Sequence, residues 1–310
     1  MTNPSTRIQA THHDPPATKP LTINLKRLNS MNNRKFLTLA CILTLGSYAA
    51  SLSAGVIVQD VFETTGSDAY TVGGTNGQSP LDGTVGFGGG AAWGQFNGPN
   101  NNPIVGSSLD HELLVATASG GLFQSSVNSG NGRGNVRQAN LNLGAVDETY
   151  YMSLTMARTA SNIQNNWFGL GRDGGNDGVG VGFNGGNLIL NVGGSFSQIT
   201  GTGLANGEIF FALVEITNDA DGIDSVTASF WEADSTDYTT ADFSTSTVNA
   251  EISDLLQDLV NQRAIRGGMQ VDEFRVGTEL SDVMLVPEPG SLALLALAAG
   301  LTFSRRRQRD

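Results

Sequence analysis

Cysteine is almost absent from this sequence of 310 residues, because Cys41 is its single cysteine. A chain with one cysteine forms no internal disulfide and offers no cluster of thiolates to a metal ion. Since Cys41 lies near the N-terminus, the rest of the chain also lacks a thiolate nucleophile. The folded part must therefore owe its stability to packing and to backbone hydrogen bonds, and cysteine-dependent catalysis is excluded there.

Basic residues are scarce between residues 55 and 286. This stretch contains seven of the 17 basic residues, all of them arginine, against 26 of the 29 acidic residues. Its formal net charge of −19 repels the phosphates of nucleic acids and of anionic lipids. The composition therefore excludes nucleic acid as a partner of this stretch and favours solubility.

Long apolar runs are confined to the two ends of the chain. Near the N-terminus, the positive pair Arg34-Lys35 precedes the apolar run Phe36–Leu45, and small residues follow to Ala54. Charge, apolar core and small residues in this order are typical of a secretory signal peptide, which we expect over residues 31–54. Residues 1–30 are polar and contain proline, which favours either a disordered extension or a true start at Met31.

The C-terminus reads VPEPGSLALLALAAGLTFSRRRQRD. Pro287 and Pro289 interrupt strands and helices, and Gly290–Phe303 is small or apolar throughout. Positive charge that follows an apolar segment stays on the cytoplasmic face of a membrane. Because a bilayer span takes about 20 apolar residues, hydropathy alone leaves both a short span and an interfacial segment open.

This tail closely resembles the PEP-CTERM sorting signal of bacterial exosortase systems. The matching residues are Val286, Pro287, Glu288 and Pro289 in the motif, and Arg305, Arg306 and Arg307 in the basic end. The resemblance covers residues 286–310. It implies export, transient anchoring in the inner membrane by a short transmembrane segment, and processing by an exosortase-type protease. It also implies a Gram-negative bacterium that makes extracellular polysaccharide, but says nothing about the activity of the body.

Alternation of apolar and polar residues dominates the region between the two ends. The segment TYYMSLTMAR (149–158) alternates with period two, which predicts a half-buried strand. EIFFALVEIT (208–217) is apolar on both faces, and SVTASFW (225–231) alternates again. Because the turn-forming step Asp221-Gly222 separates the last two segments, we expect them to form a hairpin.

Shorter segments complete an all-β prediction. Apolar residues between glycine-containing turns predict six further strands: Val56–Phe62, Leu113–Thr117, Trp167–Leu170, Val179–Phe183, Leu188–Val192 and Val271–Val276. Helical spacing of apolar residues predicts one short helix over residues 250–260. Many short strands with turn signals indicate a single β-sandwich domain, which we expect over residues 55–285.

The last predicted strand adds a second resemblance. Its residues Asp272–Thr278 are similar to the closing strand of concanavalin-like jelly rolls, the laminin-G-like lectin and glucanase group. The predicted hairpin, whose second strand contains tryptophan, suits the same fold. The resemblance implies a concanavalin-like β-sandwich over most of the body.

Acidic residues in the segment WEADSTD supply the candidate catalytic groups. Glu232 and Asp234 are two residues apart, so on a strand they share a face, and paired carboxylates serve retaining glycosidases as nucleophile and general acid. The resemblance to laminarinase-like hydrolases implies a third carboxylate, whose position holds the shorter Asp237. Two interpretations stay open: an acidic strand end without catalytic function, and a laminarinase-like glycoside hydrolase using Glu232, Asp234 and Asp237.

Two acidic loops offer oxygen ligands to Ca²⁺. The candidate ligands are Asp173, Asn176 and Asp177 in one loop, and Asp219, Asp221 and Asp224 in the other. Turn formation explains both clusters equally well. We therefore expect no cofactor apart from a possible structural Ca²⁺. His111 is the single histidine of the body, and without a nucleophile motif we expect it at the surface or at a strand edge.

The sequence as a whole favours a non-enzymatic exported protein, anchored at the cell surface or released into the matrix. Its expected role is to bind glycan or to occupy extracellular polysaccharide. The expected partners are the processing protease, the inner membrane through the tail, and polysaccharide. A glycan-cleaving enzyme on the same sandwich is the alternative.

Overall fold

The computed structural model describes residues 55–80, 83–87, 91–96, 102–115, 120–125, 128–139, 147–171, 177–219, 224–235, 239–250 and 259–285. All of them belong to one unit, Ser53–Asp310. The predicted signal peptide and residues 286–310 of the tail lie outside the described residues. Within the described ranges, no helix has the length and apolar character needed to cross a membrane.

The described residues form seventeen strands and one short helix. In chain order these are β1 (Val56–Asp60), β2 (Gly73–Gly74), β3 (Thr84–Val85), β4 (Gly94–Phe96), β5 (Pro103–Val105), β6 (Leu122–Gln124), β7 (Asn128–Gln138), β8 (Glu148–Arg158), β9 (Asn166–Gly171), β10 (Gly178–Asn184), β11 (Asn187–Val192), β12 (Ser195–Ile199), β13 (Ile209–Asn218), β14 (Asp224–Glu232), β15 (Phe243–Ala250), β16 (Leu259–Arg266), β17 (Met269–Gly277) and α1 (Leu280–Val283). The predicted all-β class is confirmed.

The strands form two antiparallel sheets. Sheet A has ten strands in the order β15-β14-β13-β8-β17-β6-β5-β2, and β1 pairs with β17 and β3 beside this path. Sheet B has seven strands in the order β12-β11-β10-β9-β16-β7-β4. The chain crosses between the sheets several times, so strands that are distant in sequence lie side by side.

The predicted central hairpin is present in sheet A. β13 and β14 pair antiparallel, with Phe211 opposite Trp231 and Thr217 opposite Ser225. On the inner face, the apolar side chains of β13 and β14 are fully buried; they include Phe210, Val226 and Phe230. Alternation therefore specified both the strands and the face that each turns to the core.

The inner faces of the two sheets pack against each other. Phe210 of sheet A meets Phe183 of sheet B edge to face, with 6.3 Å between ring centroids. Phe274 of β17 meets Phe168 of β9 in the same way at 5.2 Å. One contiguous apolar core joins both sheets, which makes the body a β-sandwich as predicted.

A second apolar cluster covers the outer face of sheet A. Its buried members, called the outer cluster here, are Leu113, Leu114, Phe211, Leu213, Trp231, Val283 and Met284. They come from the loop between β5 and β6, from the hairpin, and from the segment around α1. The double-sided apolar pattern of β13 thus reflects a strand that is covered on both faces.

Two local predictions differ from the structure. Leu113 and Leu114, predicted in a strand, lie in a turn, because their side chains complete the outer cluster instead of a sheet. The helix predicted over residues 250–260 falls largely outside the described residues. Its last two residues, Leu259 and Val260, begin strand β16, where pairing with β9 and β7 overrides the helical spacing.

Candidate functional site

A cleft of about 250 Å³ opens where β14 ends. Asp110, His111 and Glu112, from the loop that follows β5, line one side, and Ala233 lines the other. Ala233 directly follows the last residue of β14, Glu232. The cleft therefore brings two parts of the chain together that are more than a hundred residues apart in sequence.

His111 attaches the loop to the end of β14. Its Nδ1 accepts a hydrogen bond from the Leu113 backbone N–H at 3.1 Å, and its Nε2 lies 3.2 Å from the Glu232 carbonyl oxygen. Because Nδ1 accepts, the ring proton sits on Nε2, which donates to that carbonyl. Burial lowers the pKa of His111 below its usual value, so the neutral ring is favoured.

The buried position of His111 corrects the expectation of a surface residue. Only 6% of the residue is exposed, and its ring packs on Phe211 with 5.6 Å between centroids. A single histidine in a polar segment gave no sign of this burial. The apolar pair that follows it, Leu113-Leu114, is the sequence feature that draws the loop onto sheet A.

The candidate catalytic carboxylates lie at the same end of the sheet. Glu232 ends β14, whereas Asp234 lies in the following turn, which is closed by a hydrogen bond from Ser235 N–H to the Glu232 carbonyl. The strand therefore ends at Glu232 and does not continue to Asp234, as the expected shared face of the two carboxylates requires. Asp237 lies outside the described residues. The assignment of the three carboxylates to catalysis stays a prediction.

Acidic neighbours make the end of β14 strongly negative. Partial burial raises the pKa of Glu232, and the charges of Asp234, Asp242 and Glu208 raise it further. The Asp242 carboxylate also accepts a hydrogen bond from the Glu232 backbone N–H at 2.9 Å. With Asp110 and Glu112 in the facing loop, the cleft offers several hydrogen-bond acceptors, and its lining residues include neither arginine nor lysine.

The loop is also held at its start by a buried carboxyl group on β17. Asp272 Oδ2 accepts the Leu109 backbone N–H at 3.0 Å, and Oδ1 accepts the Glu273 backbone N–H at 2.8 Å. Burial raises the pKa of Asp272 to about 8, with a further contribution from Glu273. The group is therefore largely protonated at neutral pH, so it occupies the interior without a negative charge.

A β-bulge places Asp272 in this position. The pairing of β17 with β8 shifts between Asp272 and Arg275, and Glu273 at the bulge has a φ of 51°. The Glu273 carboxylate forms an ion pair with Arg275 at 3.1 Å. These are the residues that resemble the closing strand of jelly rolls. Here they position the loop beside the cleft, a role that the resemblance did not predict.

Sequence reasoning missed a buried polar network between the sheets. Arg137 of β7 donates through one nitrogen to Asp60 of β1 and to the Tyr70 hydroxyl, both at 2.9 Å. Tyr70 donates in turn to Asp60, and Trp93 Nε1 donates to the Tyr70 oxygen at 2.8 Å. Arg137 also lies 4.0 Å from the Phe87 ring centroid. The network fixes the glycine-rich region before β5.

None of the three tryptophans presents an open surface. Trp93 is 1% exposed, Trp167 0% and Trp231 5%. Trp93 belongs to the buried network and Trp231 to the outer cluster. Aromatic side chains in sugar-binding sites often stack on sugar rings. These three tryptophans are too buried in the structure to do so.

The calcium candidates are only partly described. Asp224 is buried and its Oδ1 accepts the Asp219 backbone N–H at 2.9 Å, which joins the residue after β13 to the first residue of β14. Asp221, Asp173 and Asn176 lie outside the described residues, and Asp177 is exposed. Among the described residues, no three acidic, histidine or cysteine side chains are grouped closely enough to hold a metal ion. The calcium site stays a prediction.

Comparison with known proteins identifies the C-terminal signal. Residues 285–308 match the PEP-CTERM protein-sorting motif, in agreement with the resemblance seen in the sequence. No curated protein resembles the chain in sequence. The motif implies export and sorting to the cell surface of a Gram-negative bacterium, with processing by an exosortase.

Several solved structures share features of the body at low sequence identity. A carbohydrate esterase of the Shiga toxin-encoding bacteriophage phi24B matches with a TM-score of 0.37 and 10% identity, over 60% of this chain and 90% of the other. A protein of unknown function from Shewanella oneidensis MR-1 matches with a TM-score of 0.39 and 11% identity, over 87% and 100%. The binding domain of botulinum neurotoxin serotype D matches with a TM-score of 0.30 and 16% identity, over 59% and 45%.

Proposed function

We propose that the chain is an exported β-sandwich that binds uncharged glycan of the extracellular polysaccharide in the cleft beside β14, without cleaving it. It is held at the cell surface or released into the matrix. The observation that carries the proposal is the sorting motif at residues 285–308, joined to a β-sandwich body. The motif gives the destination, and the cleft is a concave site with acidic lining on the described part of the body.

The chemistry of the cleft supports a sugar as ligand. Carboxylates at Asp110 and Glu112 accept hydrogen bonds, and sugar hydroxyls donate them. The cleft wall is held rigid, since His111 joins the loop to β14 and Asp272 holds its start. Preorganised acceptors lose little conformational entropy on binding. The same negative charge opposes uronic acids and sulfated sugars, which favours uncharged glycans.

Glycoside hydrolysis is the second candidate, and the environment of Glu232 favours it. A general acid needs a carboxyl group whose pKa is raised, and burial together with Asp234, Asp242 and Glu208 raises the pKa of Glu232. A second carboxylate, Asp234, lies two residues away. In this alternative Glu232 is the acid and Asp234 or Asp237 the second group.

Both candidates are tested by one experiment on the exported protein. The protein is incubated with neutral β-glucan and with polyuronate, and we measure co-sedimentation together with the release of reducing ends. We expect retention on the neutral glucan and no reducing ends. Release of reducing ends that is lost in Glu232→Gln would establish the hydrolase instead. If the protein neither binds nor cleaves the polysaccharides, both candidates are rejected.

Matched variants connect retention with the cleft. Glu112→Gln replaces one lining carboxylate by a neutral amide and should weaken retention severalfold, since a hydrogen bond to a charged group contributes about 1 kcal/mol more than one to a neutral group. Glu215→Gln makes the same chemical change on an exposed position of β13 and should leave retention unchanged. Equal retention by both variants would place the glycan elsewhere on the body.

A further inference from the structure

The last described residues are fixed on the outer face of sheet A. We call Glu279–Leu285 the C-terminal strap. Val283 and Met284 are 1% and 6% exposed because they insert into the outer cluster. Ser153 of β8 donates its hydroxyl hydrogen to the Val283 carbonyl at 2.7 Å. The strap is therefore held by both apolar contacts and a hydrogen bond.

The strap reaches the loop that forms the cleft. The Leu285 backbone N–H donates to the Leu113 carbonyl at 2.9 Å, and Leu113 directly follows Glu112 of the cleft lining. Leu285 is also the first residue of the matched sorting motif. The sorting signal thus begins within the folded body, although Leu285 itself is 51% exposed.

Covalent geometry then restricts where processing can occur. A chain extends by at most about 3.6 Å per residue, so Pro289 lies within roughly 14 Å of Leu285. The Pro-Glu-Pro residues must therefore stay close to the surface of sheet A as long as the strap is attached. Pro287 and Pro289 lack backbone N–H donors, so neither residue can donate a backbone hydrogen bond to the body.

We propose that the C-terminal strap controls processing of the sorting signal: the signal becomes a good substrate only when the strap detaches from sheet A. A processing enzyme that binds its substrate as an extended segment uses backbone N–H and carbonyl groups on both sides of the cut. In the attached state, the Leu285 N–H and the Val283 carbonyl are already bonded to the body. Detachment frees them and moves the signal away from the domain surface.

The rate of processing should then follow the population of the detached state. Cleavage of a locally opened segment tracks the opening equilibrium when closing is faster than cleavage. Any change that weakens the strap without unfolding the sandwich accelerates processing, and any covalent link between strap and body slows it. An enzyme that instead docks on the body together with the signal would show the opposite dependence.

The first test loosens the strap in the full chain, expressed in a bacterium that has an exosortase. Ser153→Ala removes the bond to the Val283 carbonyl, and a pulse–chase experiment measures conversion of precursor to the shortened form. We expect conversion to accelerate roughly fivefold, the factor that corresponds to one net hydrogen bond. Val105→Ala, a comparable loss in a different apolar cluster of sheet A, should leave the rate unchanged. An unchanged or slower rate for Ser153→Ala would overturn the proposal.

The second test locks the strap. Leu113→Cys with Leu285→Cys places two thiols on residues whose backbones are already hydrogen-bonded, and Cys41 is the single other cysteine of the chain. We expect the oxidised pair to slow conversion at least tenfold, and the single Leu285→Cys variant to be processed like the wild type. Equal conversion of locked and unlocked chains would also overturn the proposal. If the double variant fails to fold, Ser153→Ala decides alone.

Discussion

At the scale of single residues, the pair Asp60–Arg137 is an ion pair buried inside the sandwich. Both side chains are fully buried and joined at 2.9 Å. Removing one partner leaves an uncompensated charge in the interior, which costs about 3–5 kcal/mol. We therefore expect Arg137→Met to lower the free energy of unfolding by an amount in that range, measured by urea denaturation.

The control for this prediction is an exposed arginine. Arg266 ends β16 in an exposed position, so Arg266→Met should change the free energy of unfolding by less than about 0.5 kcal/mol. Asp60→Asn combined with Arg137→Met should be less destabilised than Arg137→Met alone, because the buried negative charge is then absent. Equal effects at positions 137 and 266 would contradict the account of the network.

Asp272 makes stability depend on pH. Its pKa is about 8 in the folded state, far above the value of about 3.9 for an exposed aspartate. Between these values the folded state binds the extra proton, so the free energy of unfolding falls as pH rises, by up to about 1.4 kcal/mol per unit. Asp272→Asn resembles the protonated group, and we expect urea denaturation from pH 5 to 8 to show a flatter profile in this variant.

A parallel loss of stability in wild type and Asp272→Asn between pH 5 and 8 would contradict this prediction. Another titratable group would then cause the pH dependence of the free energy of unfolding. Glu273 beside it provides the matched control, because Glu273→Gln breaks the ion pair with Arg275 but leaves Asp272 titratable. Its profile should stay pH-dependent, although the pKa of Asp272 falls somewhat without the Glu273 charge.

Sequence patterns predicted apolar core residues far better than buried polar ones. Phe210, Val226 and Phe230 follow from alternation alone, since burial of apolar side chains is the general tendency. Arg137 and Asp272 could not be predicted in this way, because a charged residue is buried only where particular partners from distant segments surround it. Those partners are brought together by the crossing of the chain between sheets.

At the scale of elements, glycine in β10 allows a close approach to β9. A Cβ atom at Gly180 would lie 2.5 Å from the Phe168 carbonyl oxygen and 2.5 Å from Trp167 Cε3. We expect Gly180→Ala to destabilise the fold by about 1–3 kcal/mol, the usual cost of overpacking. Thermal denaturation by circular dichroism measures the effect.

A second glycine of the adjacent hairpin turn serves as the comparison. At Gly186 an added Cβ meets only the end of the Arg158 side chain at 3.5 Å, an ordinary contact. Gly186→Ala should therefore shift the midpoint little. A larger loss at position 186 than at position 180 would show that the packing of β9 on β10 is not as described.

The loop between β5 and β6 should respond to protonation of His111. Because burial lowers the pKa of this residue, the folded state favours the neutral ring, and stability declines as pH falls below about 6.5 through the folded pKa. Protonation also removes the acceptor for the Leu113 N–H. We expect the ring resonances in NMR to titrate below the value measured in urea, with loss of amide protection at Leu113 over the same range.

Two carboxylates beside His111 also act on its pKa. Asp110 and Glu112 raise its pKa and partly oppose the effect of burial. Asp110→Asn should therefore lower the measured pKa further. A ring that titrates at its unfolded value, with an unaffected Leu113 amide, would show that the loop is not anchored through the histidine.

Elements with a clear apolar pattern, alternating or double-sided, were predicted well, and β7, which has no such pattern, was missed. β8, β13 and β14 were recognised from their patterns. β7, with the sequence NSGNGRGNVRQ, shows no apolar period, because glycine and polar residues fill a strand whose position is fixed by its partners β16 and β4. The apolar pair Leu113-Leu114 was mistaken for a strand since its burial comes from a turn lying on sheet A.

At the scale of the whole molecule, an acidic sandwich without disulfides is joined to a signal that begins on its surface. The charge of −19 between residues 55 and 286 repels anionic lipid from the body. The sorting signal itself could be recognised from sequence, because its proline, apolar and arginine parts are contiguous. The cleft could not, since its lining residues come together only in the fold.

The account rests on export of a sheet-built body and on its sorting by the C-terminal signal, and localisation tests this claim most directly. The full chain is compared with a variant in which Pro287, Glu288 and Pro289 are all replaced by alanine, in a bacterium that has an exosortase. We measure the size of the protein in each cell fraction and its sensitivity to protease added outside the cell. We expect a shortened wild-type protein at the cell surface or in the medium, and a full-length variant retained in the inner membrane. Both proteins in the cytosol, or both shortened and released alike, would contradict the account.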